Sequence, residues 1–183
     1  MNAARSLRAV AVALACFLAA GISFSASPSP ASPQAVHDQM VGVARLVTYG
    51  VRCGAKEPSV AGMRRLHDAE SRLFKLVDDL RKLHRDATTH QEAMIRVDKL
   101  PADLEDAASL RDVQAGWKQG VSEASAAKEL SAHLCSTVLE AVPQGNAVAA
   151  DAADHLSAQV DHVQGMVTEL GDRLRQERQK AKR

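Results

Sequence analysis

The residues with the most direct claim to chemistry are three cysteines and seven histidines. Cys53 stands in "TYGVRCGAKEPS", Thr48 to Ser59, with Gly50 and Gly54 on either side and Pro58 ahead, and Cys135 stands in "AHLCSTV". Neither belongs to a CxxC exchange motif, a CxxCH haem-attachment motif or the paired Cys/His spacing of a structural zinc site. A thiol nucleophile needs a base within hydrogen-bond reach, and His133, two residues before Cys135, diverges from it on a helix. The remaining use is a staple joining Cys53 to Cys135, with no catalytic residue assigned. That reading holds only in an oxidising compartment.

The histidines offer fewer constraints. His155 and His162 are seven apart with Asp151 one turn before the first, a set that could present imidazole and carboxylate to a metal. Both flank Leu156 and Val163, however, and a flanking position is ordinarily solvated unless a third ligand completes the site. His84 and His90 form a second candidate cluster with Asp86 and Glu92, which also reads as a polar loop. Met40 and His162 could ligate a haem inside a bundle, an alternative resting on architecture alone. Exported chorismate mutases are similar in size and helical content, yet no motif gathers Arg45, Arg64, Arg65 and Arg72 into a site for a dianion. The expectation is a protein without cofactor, non-enzymatic, with ligand binding second and catalysis third.

The amino terminus supplies the compartment. Arg5 and Arg8 precede the uncharged apolar run Ala9 to Ala20, the pattern of a secretory signal and shorter than the roughly 20 residues that span a bilayer. Residues 1–25 read as a signal peptide cleaved after Ser25, with Gly21 as the other small-residue site. The alternatives are an uncleaved anchor and lipidation at Cys16. Residues 26–35, rich in Ser, Pro and Ala, read as a linker, and 36–183 as one domain of periplasmic or secreted location, with no membrane span after cleavage.

Composition then excludes some partners. The chain carries 23 basic and 22 acidic side chains, and loss of Arg5 and Arg8 leaves a net charge of −1. Such a surface lacks the basic field that attracts nucleic acid, and Tyr49, Phe74 and Trp117 are too few to form a stacking platform.

The elements that must position these residues are helical. Val36, Met40, Val43, Val47 and Val51 recur at helical spacing, and Gly54 with Pro58 stops that helix near Cys53. Leu66, Ala69, Leu73, Leu76, Leu80 and Leu83 keep a heptad register. "THQE", Thr89 to Glu92, has capping-box spacing for a third helix, which Pro101 should break. A further helix is expected from Ser122 to Val142, inward at Leu130, Leu134, Val138 and Ala141 and ended by "PQGN", Pro143 to Asn146. The last helix runs through Leu156, Val160, Val163, Val167, Leu170 and Leu174. Nothing alternates with period two.

This pattern predicts an all-α, up-and-down helical bundle of four to five helices with a long C-terminal helix and antiparallel neighbours. The Cys53–Cys135 link adds a topological demand, met by reversing the chain at Pro101 and so by five mature helices. The final helix carries a coiled-coil-like seam that could serve self-association. Its end, "DRLRQERQKAKR", concentrates Arg173, Arg175, Arg178, Lys180, Lys182 and Arg183, a set suited to an acidic protein, an envelope polymer or anionic lipid, and equally to a solvated helix end. The functional expectation is an exported bundle acting through an unidentified protein or envelope component, as an accessory, adaptor or inhibitor.

Overall fold

The computed structural model describes residues 32–89 and 110–183. The signal, its cleavage sites and Cys16 lie outside the described residues, as do Pro101, His90 and Glu92. Four α-helices and one 3-10 turn make up the described chain: α1 (Pro33–Arg52), the turn Glu57–Ser59, α2 (Ala61–Thr89), α3 (Leu110–Ala126) and α4 (Ala132–Lys180). The fold is an all-α, up-and-down bundle with a long C-terminal helix.

Each boundary has a local cause. Ser32 caps α1, its hydroxyl accepting from the Ala35 N–H at 3.1 Å, with Pro33 in the first turn. The helix therefore starts three residues before the apolar periodicity places it. At the other end Gly54 takes φ +95°, and the Ala55 and Gly54 N–H groups return to the Gly50 and Val51 carbonyls at 2.8 and 3.0 Å. This is the paired closure that a left-handed glycine permits after a helix, so the expected stop at Cys53 is met.

The expected helix Ser122–Val142 is instead two helices. α3 ends at Ala126, and Ser131 caps a new start, accepting from the Leu134 N–H at 3.1 Å. The expected stop at "PQGN" is also absent, because α4 runs through Pro143 for 49 residues, about 73 Å at helical rise. Pro143 and the Leu139 side chain are exposed, so the carbonyl that loses its N–H partner lies on the watered side, where a helix best tolerates proline. Gly145 and Asn146 serve contact rather than termination. A Cβ on Gly145 would lie 2.6 Å from Leu46 Cδ2, and Asn146 Oδ1 accepts the Gly62 N–H at 2.7 Å. That bond caps the first turn of α2 from a different helix.

Consecutive helices are antiparallel, but the most extensive contacts join α1 to α3 and α2 to α4. Both of these pairs are parallel. Gly116 faces His37 and Met40 while Gly120 faces Val41 and Ala44; Gly62 meets Asn146, Arg65 meets Asp154 and Asp86 meets Arg178. The antiparallel arrangement expected of consecutive helices is therefore present, while the closest packing joins helices separated by one other in the chain. Gly116, Gly120 and Ala124, all buried at four-residue spacing, let α3 reach the α1 backbone, closer than larger side chains would allow. Gly116 and Gly120 are the docking face of α3.

Two apolar clusters fill the interior. One combines Val36, Met40, Met63, Phe74, Val113, Val142 and others from all four helices. The second joins α2 and α4 alone among the described residues, through Leu73, Val77, Leu80, Ala87, Val160, Val163, Leu170 and Leu174. The expected α4 seam is present in full, with Leu156 and Val167 half-buried against these clusters. The α2 seam is rotated from expectation: Met63, Leu66, Leu73, Val77, Leu80 and Ala87 are buried, whereas Ala69, Leu76 and Leu83 are half-buried. On α1, Gly50 replaces Val51 on the inward face, leaving Val51 40% exposed.

Candidate functional site

Cys53 closes α1 as its C-cap residue, and Cys135 occupies the first turn of α4. Their Cα atoms are 5.2 Å apart with the two sulfurs bonded, over a separation of 82 residues. The reversal expected at Pro101 lies outside the described residues, and the helix that carries Cys135 runs away from the Cys53 end rather than back toward it. α3 runs toward the Cys53 end, the chain turns between Ala126 and Ala132, and α4 starts there, so Cys135 needs no helix returning to that end. His133 is exposed in the same turn. A bonded Cys135 sulfur is no nucleophile, and the geometry makes the pair a clip between the α1–α3 and α2–α4 pairs.

The expected metal ligands stay apart. His155 Nε2 lies 3.7 Å from Asp151 Oδ2, with side chains 63% and 74% exposed, and His162 is exposed on the next turns. No group of three His, Cys, Asp or Glu side chains converges among the described residues. His84 lies on α2 and Asp86 is paired with Arg178. Met40 is fully buried in the four-helix cluster, whereas His162 is exposed beside the two-helix cluster, so the pair does not converge on one haem.

The four arginines considered for a dianion are also dispersed. Arg45 pairs with Glu123 of α3, Arg64 with Glu57 at 3.0 Å, and Arg65 with Asp154 of α4. Arg72 lines an open groove of about 320 Å³ with Lys75, Leu76, Asp79, Gln164 and Val167. These side chains join helices or ring a shallow surface rather than facing one another. Within the basic C-terminal stretch, Arg173 pairs with Glu169 at 3.7 Å, Arg175 with Asp172, Arg178 with Asp86, and Lys180 with Glu177 at 2.7 Å. Lys182 and Arg183 lie past the last helical residue, Lys180.

The residue that sequence reasoning missed is Glu70, the one buried charged side chain among the described residues, 7% exposed. It occupies a core position of the α2 seam, where spacings from Leu66 and Leu73 call for an apolar residue. Gln39 of α1 donates to its Oε1 at 3.4 Å, while Oε2 and the neighbouring Ser71 hydroxyl are buried without a partner. Burial pushes the Glu70 carboxyl up from 4.5 to about 7, because a desolvated carboxylate is disfavoured against its neutral form. One turn earlier the His67 ring stacks on Trp117 of α3, centroids 4.2 Å apart. The series Met63, Leu66, Leu73, Val77, Leu80, Ala87 carries a partial signal, with Glu70 and His84 at its non-apolar positions, but Ala69 and Leu76 offer a competing track.

No helix among the described residues is long and apolar enough to cross a membrane. Comparison with protein-family models, curated proteins and solved structures finds no match to this chain.

Proposed function

We propose that this chain is an exported scaffold that acts by holding a protein or envelope partner along its longest helix. The observation that carries the reading is the disproportion of α4, 49 residues against 20 in α1 and 17 in α3. Beyond the four-helix cluster, α4 buries one seam on α2 and leaves Asp161, Gln164, Gly165, Thr168, Asp172 and Arg175 exposed. A helix of this length, held by a clip at its first turn, presents a long and rigid face. Rigid presentation lowers the ordering cost of binding.

Export is supported by the Cys53–Cys135 pair, since such bonds persist in oxidising compartments and are rare in the cytosol. The carboxylate-paired cations Arg173, Arg175, Arg178 and Lys180, with Lys182 and Arg183, extend the α4 face toward an acidic partner. Photo-cross-linking residues placed at Gln164 and Thr168, with a control at exposed Gly42 of α1, test the reading in the native envelope. Adducts to one discrete species from α4 and none from Gly42 are expected. Equal labelling from both helices, or a chromophore or metal copurifying in place of a partner, would overturn it.

A further inference from the structure

Glu70 interrupts the apolar seam of α2 at the junction of two tightly packed helix pairs. The α1–α3 and α2–α4 pairs each pack extensively, and the contacts between pairs are sparser. Glu70 stands on α2 and accepts from Gln39 on α1, so that hydrogen bond crosses the junction. Among the described residues its second oxygen has no partner. A buried carboxyl left half-satisfied costs stability in the neutral form and far more when ionised.

The groups around it offer no counter-charge. On α1, Gln39 is uncharged and His37 Nδ1 turns to Asp38 at 3.2 Å. On α2, His67 Nδ1 turns to Asp68 at 3.2 Å and its ring stacks on Trp117 of α3. On α4, Asp154 is taken by Arg65, and the Ser157 hydroxyl donates to the Ala153 carbonyl at 2.9 Å. Among the described residues, desolvation alone governs the Glu70 carboxyl, and it does so near neutrality.

We propose that Glu70 is a proton-operated latch between the two helix pairs: protonated, it packs with Gln39 in the core; ionised, it draws water into the seam and releases the amino-terminal half of α1. The Cys53–Cys135 clip holds the opposite end of α1, so opening is confined to the end bearing Val36, Gln39 and Met40. Gln39 is the positioning residue, since it meets Glu70 and no substrate. The device links the exposure of this end to the pH of the compartment.

Hydrogen exchange of the intact mature protein tests the latch. Between pH 5 and pH 8, with intrinsic rates removed, protection of amides 36–47 should fall on the order of 70-fold, while amides 160–174 keep theirs. Glu70→Gln should abolish the change. If that variant does not fold, Glu70→Met supplies the same comparison. The ¹³C shift of the Glu70 carboxyl, read in the unaltered protein, should titrate near neutrality. Flat protection in the wild-type chain, an unchanged response in the variant, or a carboxyl midpoint near 4.5 would overturn the proposal.

Discussion

Alanine at position 120 is a stringent test of the packing, because helix propensity and tertiary contact predict opposite signs. In an exposed helix interior, glycine to alanine gains about 1 kcal/mol. At Gly120 a Cβ would lie 2.5 Å from the Val41 carbonyl oxygen, 2.8 Å from Ala44 Cβ and 3.1 Å from Val41 Cα. Ordinary contact between carbon atoms is about 3.5 to 4.0 Å, so α1 and α3 must separate by something near 1 Å. The obstructing atoms belong mostly to backbone, which no rotamer change can move. A gap of about 0.5 to 1 Å forfeits a quarter to a half of each affected dispersion contact, along a seam that includes Met40, Ala44 and Val113, each with no exposed surface. Overpacking of this kind costs about 1 to 3 kcal/mol. After the propensity gain, Gly120→Ala should destabilise by up to about 2 kcal/mol and should not stabilise. Gly165 supplies the control, since it is exposed on α4 and a Cβ there meets nothing within 4 Å. Gly165→Ala should therefore stabilise by about 0.5 to 1 kcal/mol. Urea unfolding followed by circular dichroism reads both. Stabilisation of equal size in the two variants would refute the close approach of α3 to α1.

Replacing Cys53 and Cys135 together by serine should cost about 4.5 kcal/mol in the chain-entropy model for an 82-residue separation, read as a lower urea midpoint in the oxidised wild type's absence of reductant. Asn146→Ala removes the acceptor for the Gly62 N–H and should destabilise by about 1 to 2 kcal/mol, with faster exchange confined to the first turn of α2. Ser131→Ala removes the cap of α4 and should cost about 1 kcal/mol, measured by the same denaturation. Stability should also depend on pH through Glu70. Burial raises its carboxyl from 4.5 to about 7 in the folded chain, so its contribution is full below pH 4.5 and is lost as pH rises through 7, about 3 kcal/mol in all. Urea midpoints of wild type and Glu70→Gln across pH 4 to 8 check that sign.

Much of the bundle was legible because heptad spacing reports burial directly. Leu156 through Leu174 gave the α4 seam, and Gly54 with Pro58 gave the end of α1. The failures share a cause, namely that glycine, proline and asparagine were read as local punctuation. Gly145 and Asn146 instead answer to partners distant in sequence, as Gly116 and Gly120 do on α3, and a single helix's spacing holds no record of its partner. Ser131 shows the converse: a real cap was passed over because Leu130 and Leu134 continued the apolar series across it. Glu70 was hidden because Ala69 and Leu76 offered an equally regular track one residue away. Only the rotation of α2 against α1 and α4 decides between the two tracks, and that rotation is tertiary.

A covalent clip joins the end of α1 to the start of α4. Peptide mapping by mass spectrometry, on protein recovered from its own cells with thiols blocked and no reductant, tests it most directly. The expected result is one species in which the Cys53 peptide is joined to the Cys135 peptide of the same chain. Free thiols at both positions, or a bond between two chains, would contradict both the packing of the helix pairs and the proposal of export.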